Sequence, residues 1–227
     1  MTHATDRLGV VYRFILAVMA VQVAACLPEY RASIPPVEDE VVVQAAPSAE
    51  ADYNHPVQLS EHDLKAILGK VQVEFKAHWL QKFFTGPLQP VPLFDELTLA
   101  KVVPVMVAAL GKAGAQERIV FYVAKRRGPD RRDVTTGSLY VEDRLLTIVL
   151  VNYQNRVDVV PGLPAYDRTH PEAAVAPQRF TLVFERPEFV VAKARGLVAG
   201  MFGADPPALR LDYTRFLHFV FGTATLP

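Results

Sequence analysis

The chain has 227 residues, 51% of them hydrophobic and 21% charged, with 24 basic residues balancing 24 acidic ones. That usage fits a single globular domain with short appendages, and a formal net charge of zero makes nucleic acid an unnatural partner. One cysteine in the whole chain excludes an internal disulfide.

The opening segment, MTHATDRLGVVYR, carries Arg7 and Arg13 against Asp6, and twelve uncharged residues follow it, Phe14 to Ala25. A polar, net-positive segment ahead of a short apolar run is the pattern of a secretory signal peptide. A membrane-crossing helix needs about 20 apolar residues, and Arg13 interrupts any longer run here.

The run closes on Val23-Ala24-Ala25-Cys26, which resembles the lipobox of bacterial lipoproteins: an apolar residue, two small ones, then the thiol. The resemblance implies removal of residues 1–25, a diacylglyceryl thioether on Cys26 and acylation of the new amino terminus. At ~0.8 kcal/mol per buried CH₂, two or more acyl chains hold a protein stably on a bilayer. Leu27 follows the cysteine, where the family's inner-membrane retention signal is an aspartate, so the resemblance implies the periplasmic face of the outer membrane. It covers only the leader and the cysteine and carries no fold.

Residues 26–58 read as a flexible tether. Pro28, Pro35, Pro36, Pro47 and Pro56 disfavour packing, and six acidic residues stand against Arg31 alone between Leu27 and Gln58. The apolar patch Val41 to Gln44 leaves a strand or docking segment open as the alternative.

Residues 59–227 form the expected α+β domain: an antiparallel β-meander of about four to six strands with two or three packed helices. Ser60 with Asp63 reads as a capping box opening a helix to about residue 70. Val71, Val73 and Phe75 alternate with polar residues as a strand, and Trp79, Leu80, Phe83 and Phe84 supply aromatic and aliphatic core before a loop over 85–92. A helix over Asp95 to Ala113 is expected to kink or split near Val103, because Pro104 lacks an amide donor. Strands follow at about 118–125, 134–141, 145–153 and 180–185, then a helix over Pro187 to Met201 and a strand over Ala208 to Tyr213.

No catalytic constellation stands out. His55, His62, His78, His170 and His218 are scattered without metal-ligand spacing, there is no G-x-S-x-G, and Gly196, Gly200 and Gly203 lack the lysine and context of a phosphate loop. Neither a metal nor a cofactor beyond the lipid on Cys26 is expected. Two features carry binding potential. Lys125, Arg126, Arg127, Arg131 and Arg132 cluster at a hairpin tip that could attract lipid headgroups, an acidic glycan or an acidic partner, or could simply be a solvated turn that blunts a sheet edge. The loop Val160 to Pro177 carries Tyr166, Asp167, Arg168 and His170. The sequence therefore points to a non-enzymatic, lipid-anchored component that binds or scaffolds a protein or glycan of the cell envelope. The alternatives are a carrier of lipid or another small ligand, and a hydrolase of envelope polymers using His78 or His170.

Overall fold

A computed structural model describes residues 39–48, 52–76, 89–158, 173–191 and 206–222, all within one unit, Pro36–Pro227. In chain order its elements are strand β1 (Glu40–Pro47), helix α1 (Glu61–Leu68), β2 (Val71–Phe75), the short β3 (Val91–Pro92) and helix α2 (Glu96–Leu110). Then come β4 (Glu117–Arg126), β5 (Arg131–Glu142), β6 (Leu145–Asp158), β7 (Phe180–Phe184), a 3₁₀ turn (Pro187–Phe189), β8 (Ala208–Asp212) and helix α3 (Tyr213–Phe221).

The strands form two antiparallel sheets, one of five in the order β1-β4-β5-β6-β8 and one of three in the order β3-β2-β7. The fold is α+β. Register places Ile119, Phe121 and Val123 of β4 beside Leu139 of β5, Ile148 and Leu150 of β6 and Leu209 of β8, all buried in one core. Helix α1 adds Leu64, Ile67 and Leu68 to that core, and α2 adds Leu99, Val102, Val103, Met106 and Leu110. Removing each such aliphatic side chain from water stabilises the fold by roughly 1.5–3 kcal/mol.

Local signals explain several of these elements. Ser60 Oγ accepts from the Asp63 N–H at 3.0 Å and the Asp63 carboxylate accepts from the Ser60 N–H at 3.3 Å, so the capping box read in the sequence forms. The Asp143–Arg144 turn joins β5 to β6, with Asp143 in the left-handed region at φ 53°, which a short polar side chain tolerates.

Four expectations are corrected. The folded unit begins well before Leu59: all eight residues of β1 pair with β4, from Glu40 opposite Ala124 to Pro47 opposite Glu117, and Tyr53 and His55 are buried. The alternative strand at Val41–Gln44 forms because its valines pack on the core across from Phe121 and Val123. Helix α2 is not split at Pro104: it runs unbroken to Leu110, three residues short of Ala113, with Val102, Val103 and Met106 on either side of the proline buried.

The other two corrections concern the C-terminal half. β7 leaves the meander to pair with β2, and β8 takes the place beside β6. Strand spacing along the chain does not choose partners once a tight turn is missing between them. The described start of the helix expected over Pro187–Met201 is instead the 3₁₀ turn Pro187–Phe189, after which Val190 bridges to Leu211 and the Val191 N–H donates to the Arg210 carbonyl. Phe189 is buried there, 5.4 Å from the Phe216 ring, and that anchor diverts the backbone to the edge of β8. Residues 192–201 lie outside the described residues, as do the leader with Cys26, the segment 77–88 with His78, and 159–172 with Tyr166, Asp167, Arg168 and His170.

Candidate functional site

Helices α1, α2 and α3 leave a groove of about 560 Å³ between them. Its apolar wall is Ala66, Pro92, Phe94, Leu99, Val220 and Phe221, and its rim carries His62, Lys65, Lys70 and Glu96. The rim charges are paired: Lys65 lies 3.4 Å from Glu96, and Lys70 lies 2.8 Å from Glu185 of the loop after β7. The His62 ring packs tilted against Phe221, ring centroids 4.5 Å apart.

Helix α3 builds one side of this groove. Asp212 caps it through the Arg215 N–H at 3.0 Å, and Gly222 ends it in the left-handed conformation at φ 72°. Tyr213, Phe216 and Leu217 bury one face, while Phe219 (58% exposed), Val220 and Phe221 stay open to solvent. Sequence reasoning missed this helix, although Asp212, Gly222 and the apolar spacing between them mark it.

The segment Pro92–Asp95 separates the groove from a smaller polar cleft of about 180 Å³, lined by Asp95, Lys125, Asp133, Thr135, Tyr153 and Gln154 among others. Asp95 organises the cleft. One carboxylate oxygen accepts from the Thr98 N–H at 2.9 Å and caps α2, and the other lies 2.5 Å from Lys125 Nζ. The lysine's hydrogen bond, with those from Thr98, draws the carboxyl pKa down to about 2. Tyr153 donates to the Pro92 carbonyl at 2.9 Å and accepts from Gln154 Nε2 at 3.1 Å, and burial raises its phenol pKa. Gln154 takes the left-handed region at φ 48°, its N–H held by Thr135 Oγ1 at 3.1 Å, beside the register shifts of β5 on β6.

The basic tip read from the sequence is the connection between β4 and β5, and acidic groups meet most of its cations. Lys125 bonds Asp95, Arg127 bonds Asp133 at 2.5 Å, Arg131 lies 3.4 Å from Asp158, and Arg132 lies 3.3 Å from Glu40. The Arg126 side chain donates to the Gly128 carbonyl at 3.2 Å. The hydrogen bond that Arg127 donates to the Asp133 carboxylate raises its guanidinium pKa.

Of the described histidines, His55 is buried, His62 belongs to the groove rim, and His218 is exposed on α3. Among the described residues no group of three or more His, Cys, Asp or Glu side chains converges as a metal site would require. Among them, too, no helix is long and apolar enough to cross a membrane. An apolar trough with neutralised ion pairs on its rim is suited to holding an apolar surface by exclusion of water. Comparison of the chain with protein families, with curated proteins and with solved structures finds no match.

Proposed function

We propose that this is an exported protein held on a membrane by an acylated Cys26, on the periplasmic face of the outer membrane, whose folded domain binds another envelope component. The lipobox-like Val23–Cys26 supports the location. The groove between the three helices carries the binding reading, because Val220 and Phe221 reach it from a helix that leaves them exposed while burying its other face. The bound element is an apolar protein segment, with the Lys65–Glu96 and Lys70–Glu185 pairs fixing its polar flanks.

A photo-crosslinking residue at Phe221, in cells expressing the full chain, tests this reading. A single adduct that disappears when Val220→Asp is introduced supports it, and an adduct pattern indifferent to that change refutes it. A second reading, carriage of a small apolar ligand, is favoured by the groove volume, which falls in the range of small-molecule sites. Mass spectrometry of the natively purified protein separates the two: a co-purifying lipid lost in Val220→Asp identifies a carrier.

A further inference from the structure

The chain enters the described fold beside the tip of the β4–β5 hairpin, and several contacts fix it there. Asp39 accepts from the Arg126 N–H at 2.9 Å and lies 3.7 Å from Lys101 of α2. The neighbouring Glu40 stands opposite Ala124 in the sheet and pairs with Arg132 at 3.3 Å. The cysteine that resembles a lipidation site is Cys26, thirteen positions before Asp39.

From this we infer that the β4–β5 hairpin end of the domain is the surface that meets the lipid headgroup layer. The inference rests on the proposed anchoring at Cys26. Chain length supplies the scale. A chain of thirteen residues spans at most ~45 Å when fully extended, and any flexible chain of that length, as the proline- and acid-rich sequence reads, spans about 20 Å root-mean-square. The far end of β5, where the Asp143–Arg144 turn joins it to β6, is one full strand away, twelve residues or about 35–40 Å at the rise of a strand. A tether rooted at one end and shorter on average than the strand keeps that end nearer the bilayer.

The chemistry of this end suits a phosphate layer. Arg127 and Arg131 remain 57% and 54% exposed while paired, and an arginine fork hydrogen-bonds phosphate in two places. Their carboxylate partners leave little net charge, so the apposition comes from the tether and the guanidinium geometry rather than from long-range attraction. The polar cleft opens on the same end, since Lys125 and Asp133 line it and flank the hairpin tip.

The lone cysteine makes a direct test available. Full-length Asp130→Cys and Arg144→Cys chains, matured in a bacterium, are treated with a thiol-reactive fluorophore. They are then reconstituted into phosphatidylethanolamine–phosphatidylglycerol vesicles carrying a headgroup quencher. Quenching at least about twofold stronger at position 130 than at 144 is the expected result for a tether of ~20 Å. Equal quenching, or stronger quenching at 144, overturns the orientation while leaving the anchor intact. The parent chain is the control: its sulfur, held as a thioether, takes no dye, whereas a labelled Cys26 overturns the anchor and the orientation together.

Discussion

The backbone N–H of Val141 donates to Nε2 of His55 across 3.1 Å, so a buried imidazole closes the end of strand β5 as an acceptor. The adjacent Asn54 N–H donates back to the Val141 carbonyl at 2.9 Å. Protonating Nε2 would remove the acceptor and place a charge in the core. Burial accordingly lowers the His55 pKa below 6.5, a shift that the Glu117 carboxylate opposes. In the unfolded chain the same imidazole takes up a proton below about pH 6.5. Stability is therefore full above that pH and declines as pH falls from about 6.5 through the folded-state value. Urea unfolding at pH 7.5, 6.5 and 5.5 should show this decline in the parent and a smaller one in His55→Phe. The variant should also be weaker throughout by about 1–3 kcal/mol, because the Val141 N–H loses its partner. Equal pH slopes in the two chains would refute the role.

Asp95 joins two functions in one side chain, and two substitutions separate them. Asp95→Asn keeps an oxygen to cap α2 and loses the charge against Lys125; this pair is well exposed and worth about 0.5–1 kcal/mol at most. Asp95→Ala also loses the cap to Thr98 and should cost about 1–2 kcal/mol. The carboxyl pKa, lowered from 3.8 to about 2, adds stability above about pH 3.8 that is lost as pH falls toward 2. Denaturant titration of both variants at pH 7 checks the order; an Asn variant as weak as the Ala variant would show that the ion pair, not the cap, dominates.

Much of the local structure was legible because its causes are local. Ser60 and Asp63 announce α1, Asp95 announces α2, and the alternation of Val71, Val73 and Phe75 with polar residues announces β2. What escaped was decided at long range. β1 looks like tether in composition, yet its valines pack against Phe121 and Val123 of a strand some eighty residues on. β7 finds β2 rather than β6, a choice that no spacing between strands encodes. The groove needs α1, α2 and α3 at once, so none of its residues carried a signal alone. The basic tip was visible as a run of cations, but Asp39, Glu40, Asp95 and Asp158, which bind its residues, come from other parts of the chain.

Gly137 is required by close approach. A Cβ built there would lie 2.1 Å from the Val149 carbonyl oxygen and 2.7 Å from the Phe121 ring. The ring is fully buried and the carbonyl belongs to the neighbouring strand, so neither yields cheaply. Gly137→Ala should cost about 3 kcal/mol, a Tm drop of roughly 6–12 °C for a domain of this size. Adding Phe121→Leu should not restore it, because the carbonyl contact remains. Thermal unfolding of the single variant at the parental Tm would contradict the packing.

Asn152 does the work of backbone where the sheet breaks register. It is fully buried, and its Nδ2 donates to Thr136 Oγ1 at 2.8 Å and to the Ala173 carbonyl at 2.9 Å, while its Oδ1 accepts from the Val175 N–H at 2.8 Å. Asn155 Nδ2 reinforces it, donating to the same Oδ1 at 3.3 Å and to the Ala176 carbonyl at 3.4 Å. Residues 173–176 are thus fastened to β6 by side-chain amides rather than by a strand ladder. An Asn152→Leu chain fills the space but takes these hydrogen bonds away from the Val175 amide and the Ala173 carbonyl, at about 0.5–1.5 kcal/mol for each bond lost at this partly buried junction. Hydrogen exchange should accelerate at Val175 by at least about tenfold, the effect of roughly 1.4 kcal/mol on a local opening. Amides in the middle of β4, remote from the break, should keep parental protection once the global loss is subtracted. Uniform acceleration across both regions would mean that Asn152 supports the whole core rather than this junction.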